Sequence, residues 1–186
     1  MPEKIVLKVS MVGESAVGKS SLVRRYVYNE FEDRYVPSLG AKVSKKDIQY
    51  SMAGKTFDAT LNIWDIMGAP SLRDILKQAY FRGVQGILAI ADVSRPVTAT
   101  ALKEWVGAVR EVSGQVPVVI LANKVDLLPD MGMAMQIVEP VADDLGRAWL
   151  PTSAKTGHNV DRAFEGLLAL ILTRLVADGK LKVVAS

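Results

Sequence analysis

The chain has no cysteine and a single histidine, His158, among its 186 residues. Without cysteine there are no disulfides, no thiolate-held zinc and no thiol catalysis. Prenyl and palmitoyl groups have no attachment point either, so no direct lipid anchor is expected. Long apolar runs are missing too. The longest, "GILAIA" and "VPVVILA", are too short to span a bilayer. The first ten residues, "MPEKIVLKVS", hold no apolar stretch of the kind a signal peptide needs, and the cytoplasm is the expected location. Charge of one sign is scarce: 23 Lys and Arg against 20 Asp and Glu leave a net +3. Nucleic-acid readers gather basic residues on one face, so no nucleic-acid partner is expected. "VSKKD" and "LVRR" read as solvated faces, and His158 as a loop residue. Repeats, low-complexity tracts and linkers are absent from the sequence.

What is present is an ordinary globular composition, 49% hydrophobic and 23% charged. The length predicts one domain over residues 1–186, with about 178–186 as a short tail. "KIVLKVSMV" alternates, with Leu7, Val9 and Met11 on one side, and predicts a strand. It runs into the glycine-rich stretch "GESAVGKSSL", after which Leu22, Val23, Tyr26 and Val27 recur at helical spacing. "KVSKKDIQYS" and "KTFDATLNIWD", joined by "MAGK", predict an antiparallel hairpin. "GILAIADV" and "VPVVILAN" are continuous and β-branched, as strands buried on both faces are. Between them Leu102, Trp105, Val106 and Val109 form one helical stripe. "AWLPTS" predicts a last short strand, and Phe164, Leu167, Leu168, Ile171 and Leu175 a last helix. Met131, Met133 and Met135 read as flexible core filling. Alternating strands and helices predict an α/β fold of six strands and five helices, with a mostly parallel sheet covered on both faces. Ligands of such sheets bind beyond the carboxyl ends of the strands.

Four motifs fall at four of those ends. Gly13, Gly18, Lys19 and Ser20 lie between a strand and a helix, the context of a phosphate-binding loop. Glycines let backbone N–H groups approach phosphates, and the helix N-terminus adds partial positive charge. Lys19 reaches toward the β- and γ-phosphates, and the Ser20 hydroxyl is a candidate Mg²⁺ ligand. In "WDIMG", Asp65 is placed to hold Mg²⁺ through a water, and Gly68 to offer its N–H to the γ-phosphate. In "NKVD", the Asp126 carboxylate suits the N1–H and N–H₂ donors of guanine, which adenine lacks as a pair. Lys124 would lie along base or ribose, and Asn123 would tie this loop to the phosphate loop. In "SAK", Ser153 to Lys155, the Ala154 N–H suits guanine O6, and Lys155 packs on the base. Each motif has a bland reading as turn residues at a strand end. Their joint order is what carries the signal.

The chain resembles a small GTPase of the Ras superfamily, nearest to the Rab branch. "GESAVGKSSL", "WDxxG", "YFRG", "NKVDL" and "TSAKTG" carry the resemblance over residues 4 to about 177. It implies the P-loop NTPase fold with helices on both faces of a sheet of strand order 2-3-1-4-5-6, strand 2 antiparallel. It also implies GTP or GDP with Mg²⁺, and two switch segments. The nucleotide site would include Gly13, Glu14, Ser15, Ala16, Val17, Gly18, Lys19, Ser20 and Ser21. Glu14 and Ser15 receive no catalytic role. Phe31 matches an aromatic against the guanine face, and Tyr35 one that closes over the phosphates. Ser38 stands where the family has its magnesium-binding threonine, and would act with Lys19 and Gly68 in catalysis. The family's glutamine, which orients the attacking water, is replaced by Ala69, and Pro70 follows. Slow intrinsic hydrolysis is therefore expected, with Arg34 and Arg73 as candidate replacements for the lost group.

The resemblance implies protein effectors, an exchange factor and an activating protein as partners, and a monomer. The leading expectation is a GTP-operated switch. A GTP-binding interaction protein with little hydrolysis is the second, and an ATP-using P-loop enzyme the third. Asp126 and "SAK" argue against the third.

Overall fold

A computed structural model describes residues 3–32, 40–52, 54–69 and 77–181. Six strands form one sheet: β1 (Glu3–Val12), β2 (Ala41–Met52), β3 (Lys55–Ile66), β4 (Gly86–Asp92), β5 (Val118–Asn123) and β6 (Trp149–Thr152). Their order is β2-β3-β1-β4-β5-β6. The pair β2–β3 is antiparallel, with Met52 opposite Lys55 at the turn. The pairs β1–β3, β1–β4, β4–β5 and β5–β6 are parallel. The hairpin is the one expected from the residues, and the strand order is the one the resemblance implies.

Helices α1 (Lys19–Tyr28), α2 (Val97–Thr100), α3 (Leu102–Ser113), α4 (Met131–Leu145) and α5 (Val160–Ala177) connect the strands. Residues 77–81 add a helical stretch before β4. One core lies between the sheet and α1 with α5. It takes Leu7, Val9 and Met11 from β1 and Phe57, Ala59, Leu61 and Ile63 from β3. Tyr26 of α1 and Phe164 of α5 stack there with ring centroids 3.9 Å apart. The other core lies under α3 and α4, and takes Ile87, Ala89 and Ala91 from β4 and Val118, Ile120 and Ala122 from β5. So β4 and β5 are buried along their whole length. β3 alternates because one of its faces is only half covered. These are the two patterns the sequence shows.

The methionines correct an expectation. Met131, Met133 and Met135 are 46%, 41% and 47% exposed, while Ala134, Val138, Val141 and Ala142 of the same helix are buried. Asp130 fixes the helix start by accepting from Gly132 N at 2.6 Å and Met133 N at 3.3 Å. That phase turns small residues onto the sheet and the methionines outward. At the far end Leu181, within the segment expected to be tail, is buried in the first core.

Candidate functional site

The loops at the carboxyl ends of β1, β3, β5 and β6 surround a cleft of about 440 Å³. Of the residues proposed from sequence, Ser15, Ala16, Gly18, Lys19, Ser20, Ser21, Phe31, Gly68, Ala69, Asn123, Lys124, Asp126, Ala154 and Lys155 form its wall. Gly13, Glu14, Val17, Asp65 and Ser153 stand behind that wall. Val17 is fully buried. Arg34, Tyr35, Ser38, Pro70 and Arg73 lie outside the described residues.

The loop from Gly13 to Gly18 has an unusual hydrogen-bond pattern: each of its first five carbonyls accepts from a side chain. Lys19 Nζ donates to Gly13 O at 2.8 Å and to Glu14 O at 2.7 Å. Arg95 Nη2 donates to Ser15 O at 2.8 Å, and Lys124 Nζ to Ala16 O at 2.8 Å. Asn123 Nδ2 donates to Val17 O at 2.8 Å. With the carbonyls occupied by these donors, and helix α1 beginning at the loop's end, the loop's N–H groups are the backbone groups left to meet an anion. That is an anion cradle. Ala16 and Lys124, which bond to each other, both have left-handed backbones, φ 63° and 69°. Such non-glycine strain persists only where surrounding bonds over-determine it. Glycine is required at both ends. A Cβ on Gly13 would lie 2.3 Å from Ile90 O, and one on Gly18 would lie 2.3 Å from Asn123 Nδ2.

Lys19 is nearly buried. Burial pushes its ammonium down to about 8, against the opposing pull of the Asp65 and Glu14 carboxylates. Ser20 Oγ donates to Asp65 Oδ2 at 2.5 Å. Asp65 is 3% exposed, and its Oδ1 is buried with no hydrogen-bond partner. Burial raises its carboxyl above the usual range, against the Ser20 hydroxyl and the Lys19 and Lys42 charges. A hydroxyl beside a carboxylate with an orphaned buried oxygen is a donor set that suits Mg²⁺, a hard cation that takes oxygen ligands. Among the described residues there is no cluster of three His, Asp or Glu that would hold a metal without other ligands.

The opposite end of the cleft is built from the β5 and β6 loops. Ser153 Oγ donates to Asp126 Oδ1 at 2.5 Å. Asn123 is fully buried and its Oδ1 accepts from Thr152 Oγ1 at 3.3 Å. Arg25 of α1 donates to Ala154 O at 2.8 Å and Lys155 O at 2.7 Å. This corrects the reading of "LVRR" as a solvated face: Arg25 pins the "SAK" loop against α1.

The remaining lip is Met67 to Ala69. Met67 N donates to Gly40 O at 2.9 Å, and Ser15 Oγ donates to Gly68 O at 2.7 Å. A Cβ on Gly68 would lie 2.4 Å from the Glu14 backbone and 2.5 Å from Lys19 Nζ. The lip therefore sits on the phosphate loop at van der Waals contact. Ala69 reaches the cleft with a methyl group only.

Sequence reasoning missed Asp92, Arg95 and the partner of Glu14. Asp92 is 1% exposed and accepts from Lys124 Nζ at 2.6 Å, Arg95 Nε at 3.0 Å, and Ser94 Oγ at 2.6 Å. Burial opposes its charge, but these donors outweigh burial and hold it below the usual carboxylate range. Trp105 Nε1 donates to Glu14 Oε1 at 3.0 Å. A signal existed in "ILAIAD": a carboxylate ending a buried strand, much as Asp65 stands one residue before the end of β3.

Comparison with known proteins agrees with the geometry. The model of the Ras family matches residues 8–173. The Ras-related protein RABD2c of Arabidopsis thaliana is 32% identical over 174 residues, covering 93% of this chain and 84% of its own. The Ras-related protein RabC of Dictyostelium discoideum is 31% identical over 169 residues, covering 90% and 85%. The GTP-binding protein YPTM2 of Zea mays is 31% identical over 174 residues, covering 93% and 83%.

Proposed function

We propose, from the premise that this chain belongs to the Ras family and is a small GTPase that hydrolyses GTP to GDP and phosphate, that it is a Mg²⁺-dependent GTP/GDP switch with slow intrinsic hydrolysis. Residues 1–186 act as one guanine-nucleotide domain, a monomer whose two segments around Ser38 and Gly68 are read by effectors. An exchange factor and an activating protein would set its state.

The observation that carries this reading is the contrast at Ala69. The cradle for phosphate is fully braced, whereas the residue that would orient the attacking water ends at Cβ. Lys19 and the Gly13–Gly18 amides would hold the phosphates. Asp126, with Ala154 and Lys155, would hold guanine, and Asn123 and Lys124 join the two halves. Ser20, with Ser38 and a water held by Asp65, would hold Mg²⁺, which when bound neutralises charge on the phosphate oxygens. Gly68 N–H is the group on the lip able to respond to a γ-phosphate, and a loop that moves with it gives two states.

The reading is tested by displacement of fluorescent GDP from the purified protein. GTP and GDP should compete, ATP should not, and chelation of Mg²⁺ should speed release. Equal displacement by ATP would contradict it. A second reading is a GTP-binding interaction protein that hydrolyses almost nothing. Ala69 favours it, and single-turnover hydrolysis separates the two.

A further inference from the structure

Arg95 lies just beyond β4 and does not line the cleft, yet it touches the cradle. Its Nε bonds the buried Asp92 carboxylate at 3.0 Å, and its Nη2 bonds Ser15 O at 2.8 Å. Asp92 also takes Lys124 Nζ at 2.6 Å, and that same Nζ holds Ala16 O. One buried carboxylate thus orients two cations that hold two consecutive carbonyls of the loop. Ser15 is the joint of this arrangement, because its hydroxyl also holds Gly68 O at 2.7 Å. Its neighbour Glu14 is fastened to Trp105 on the other side at 3.0 Å.

Among the described residues, every other side-chain donor to the loop carbonyls comes from a motif already assigned to the site: Lys19, Asn123 and Lys124. Arg95 comes from outside those motifs and spans Asp92 and Ser15 O together. A guanidinium does so because its planar fork presents several N–H groups at fixed angles. A lysine ammonium on the same stem is a point donor.

We propose that Arg95 is a positioning residue for phosphate binding. Through Asp92 it fixes the Ser15 carbonyl, keeps the loop's N–H groups turned to the cleft, and makes the phosphate cradle depend on the base-side residue Lys124. This rests on the nucleotide reading above. Arg95 is not a catalytic residue, since it acts through Ser15.

The test compares GDP and GMP binding to wild type, Arg95→Met and Arg95→Lys, with melting temperatures measured beside them. Methionine keeps the stem and removes the donors. One hydrogen bond to a charged group is worth about tenfold in affinity. GDP should therefore bind Arg95→Met about tenfold more weakly and dissociate correspondingly faster, with GMP affected much less. Arg95→Lys should recover part of the loss, because it can still reach one of the two partners. Equal weakening of GDP and GMP, tracking a lowered melting temperature, would make Arg95 a residue of the fold and overturn the proposal. Unchanged GDP affinity in both variants would overturn it as well. Should Arg95→Met fail to fold, the GDP to GMP ratio of Arg95→Lys decides alone: a smaller ratio than wild type supports the proposal, and an equal one defeats it. Wild type that prefers neither GDP nor GTP over ATP would instead sink the nucleotide reading itself.

Discussion

The two sides of the cleft are built to different standards. On one side, five consecutive carbonyls of the phosphate loop are each held by a side chain, and two of the donors share the buried Asp92. On the other, the lip at Gly68 is held by the Ser15 hydroxyl, with Met67 bonded to Gly40 beside it. A neutral hydrogen bond contributes ~1 kcal/mol, and one to a charged group ~1.5–3. The braced side is thus organised before any ligand arrives. The lip's one side-chain bond is a neutral one, of the weaker kind. On the proposed reading, that difference would give tight nucleotide binding beside slow hydrolysis.

The largest break in this asymmetry should come from Asp92→Asn. It leaves Lys124 and Arg95, whose side chains are 32% and 43% exposed, without their shared counter-charge, and a hydrogen bond to a charged group is worth ~1.5–3 kcal/mol. With two such bonds weakened, GDP affinity should fall by ~10²-fold, with some loss in urea stability. Loss of less than about threefold, or ~0.7 kcal/mol, would mean that Asp92 does not brace the loop. The same carboxylate gives a pH signature. Its folded-state value lies below the ordinary 3.8, so its contribution is complete above that range and is lost as pH falls through the folded value. Acid unfolding monitored by circular dichroism should be steeper below 3.8 in wild type than in Asp92→Asn.

Next in size is Asp126→Ala, which on the proposed reading removes two charge-assisted bonds to the base. The preference for GTP over ATP should shrink by ~10²-fold in competition binding. The smallest effect belongs to the lip. Ser15→Ala removes one hydroxyl bond of ~1 kcal/mol. It should leave GDP affinity within about fivefold while altering the GTP hydrolysis rate. A Ser15→Ala variant that loses GDP as badly as Asp92→Asn would erase the contrast.

Much of this was legible in the sequence because it is local. The alternation of β1 and β3, the continuous runs of β4 and β5, and the glycines around Lys19 depend on neighbours a few positions apart. The braces were not legible because their partners are distant: Arg95 reaches 80 positions back to Ser15, and Arg25 reaches 129 forward to Ala154. Spacing says nothing about which guanidinium meets which carbonyl. The methionines of α4 show the other limit. Three apolar residues suggest a core, but the phase set by the Asp130 cap turned Ala134 and Val138 inward instead. Asn123 could be placed, because its role follows from ending a buried strand beside the loop, and its 2.8 Å bond to Val17 O agrees.

Single-turnover hydrolysis of preloaded GTP, in wild type and in Ala69→Gln, bears most directly on the idea of a braced cradle beside an incomplete lip. The account predicts slow conversion of GTP in wild type and markedly faster conversion in the variant, with GDP affinity the same in both. Hydrolysis in wild type that is as fast as in the variant would contradict it, and would mean that another group orients the water.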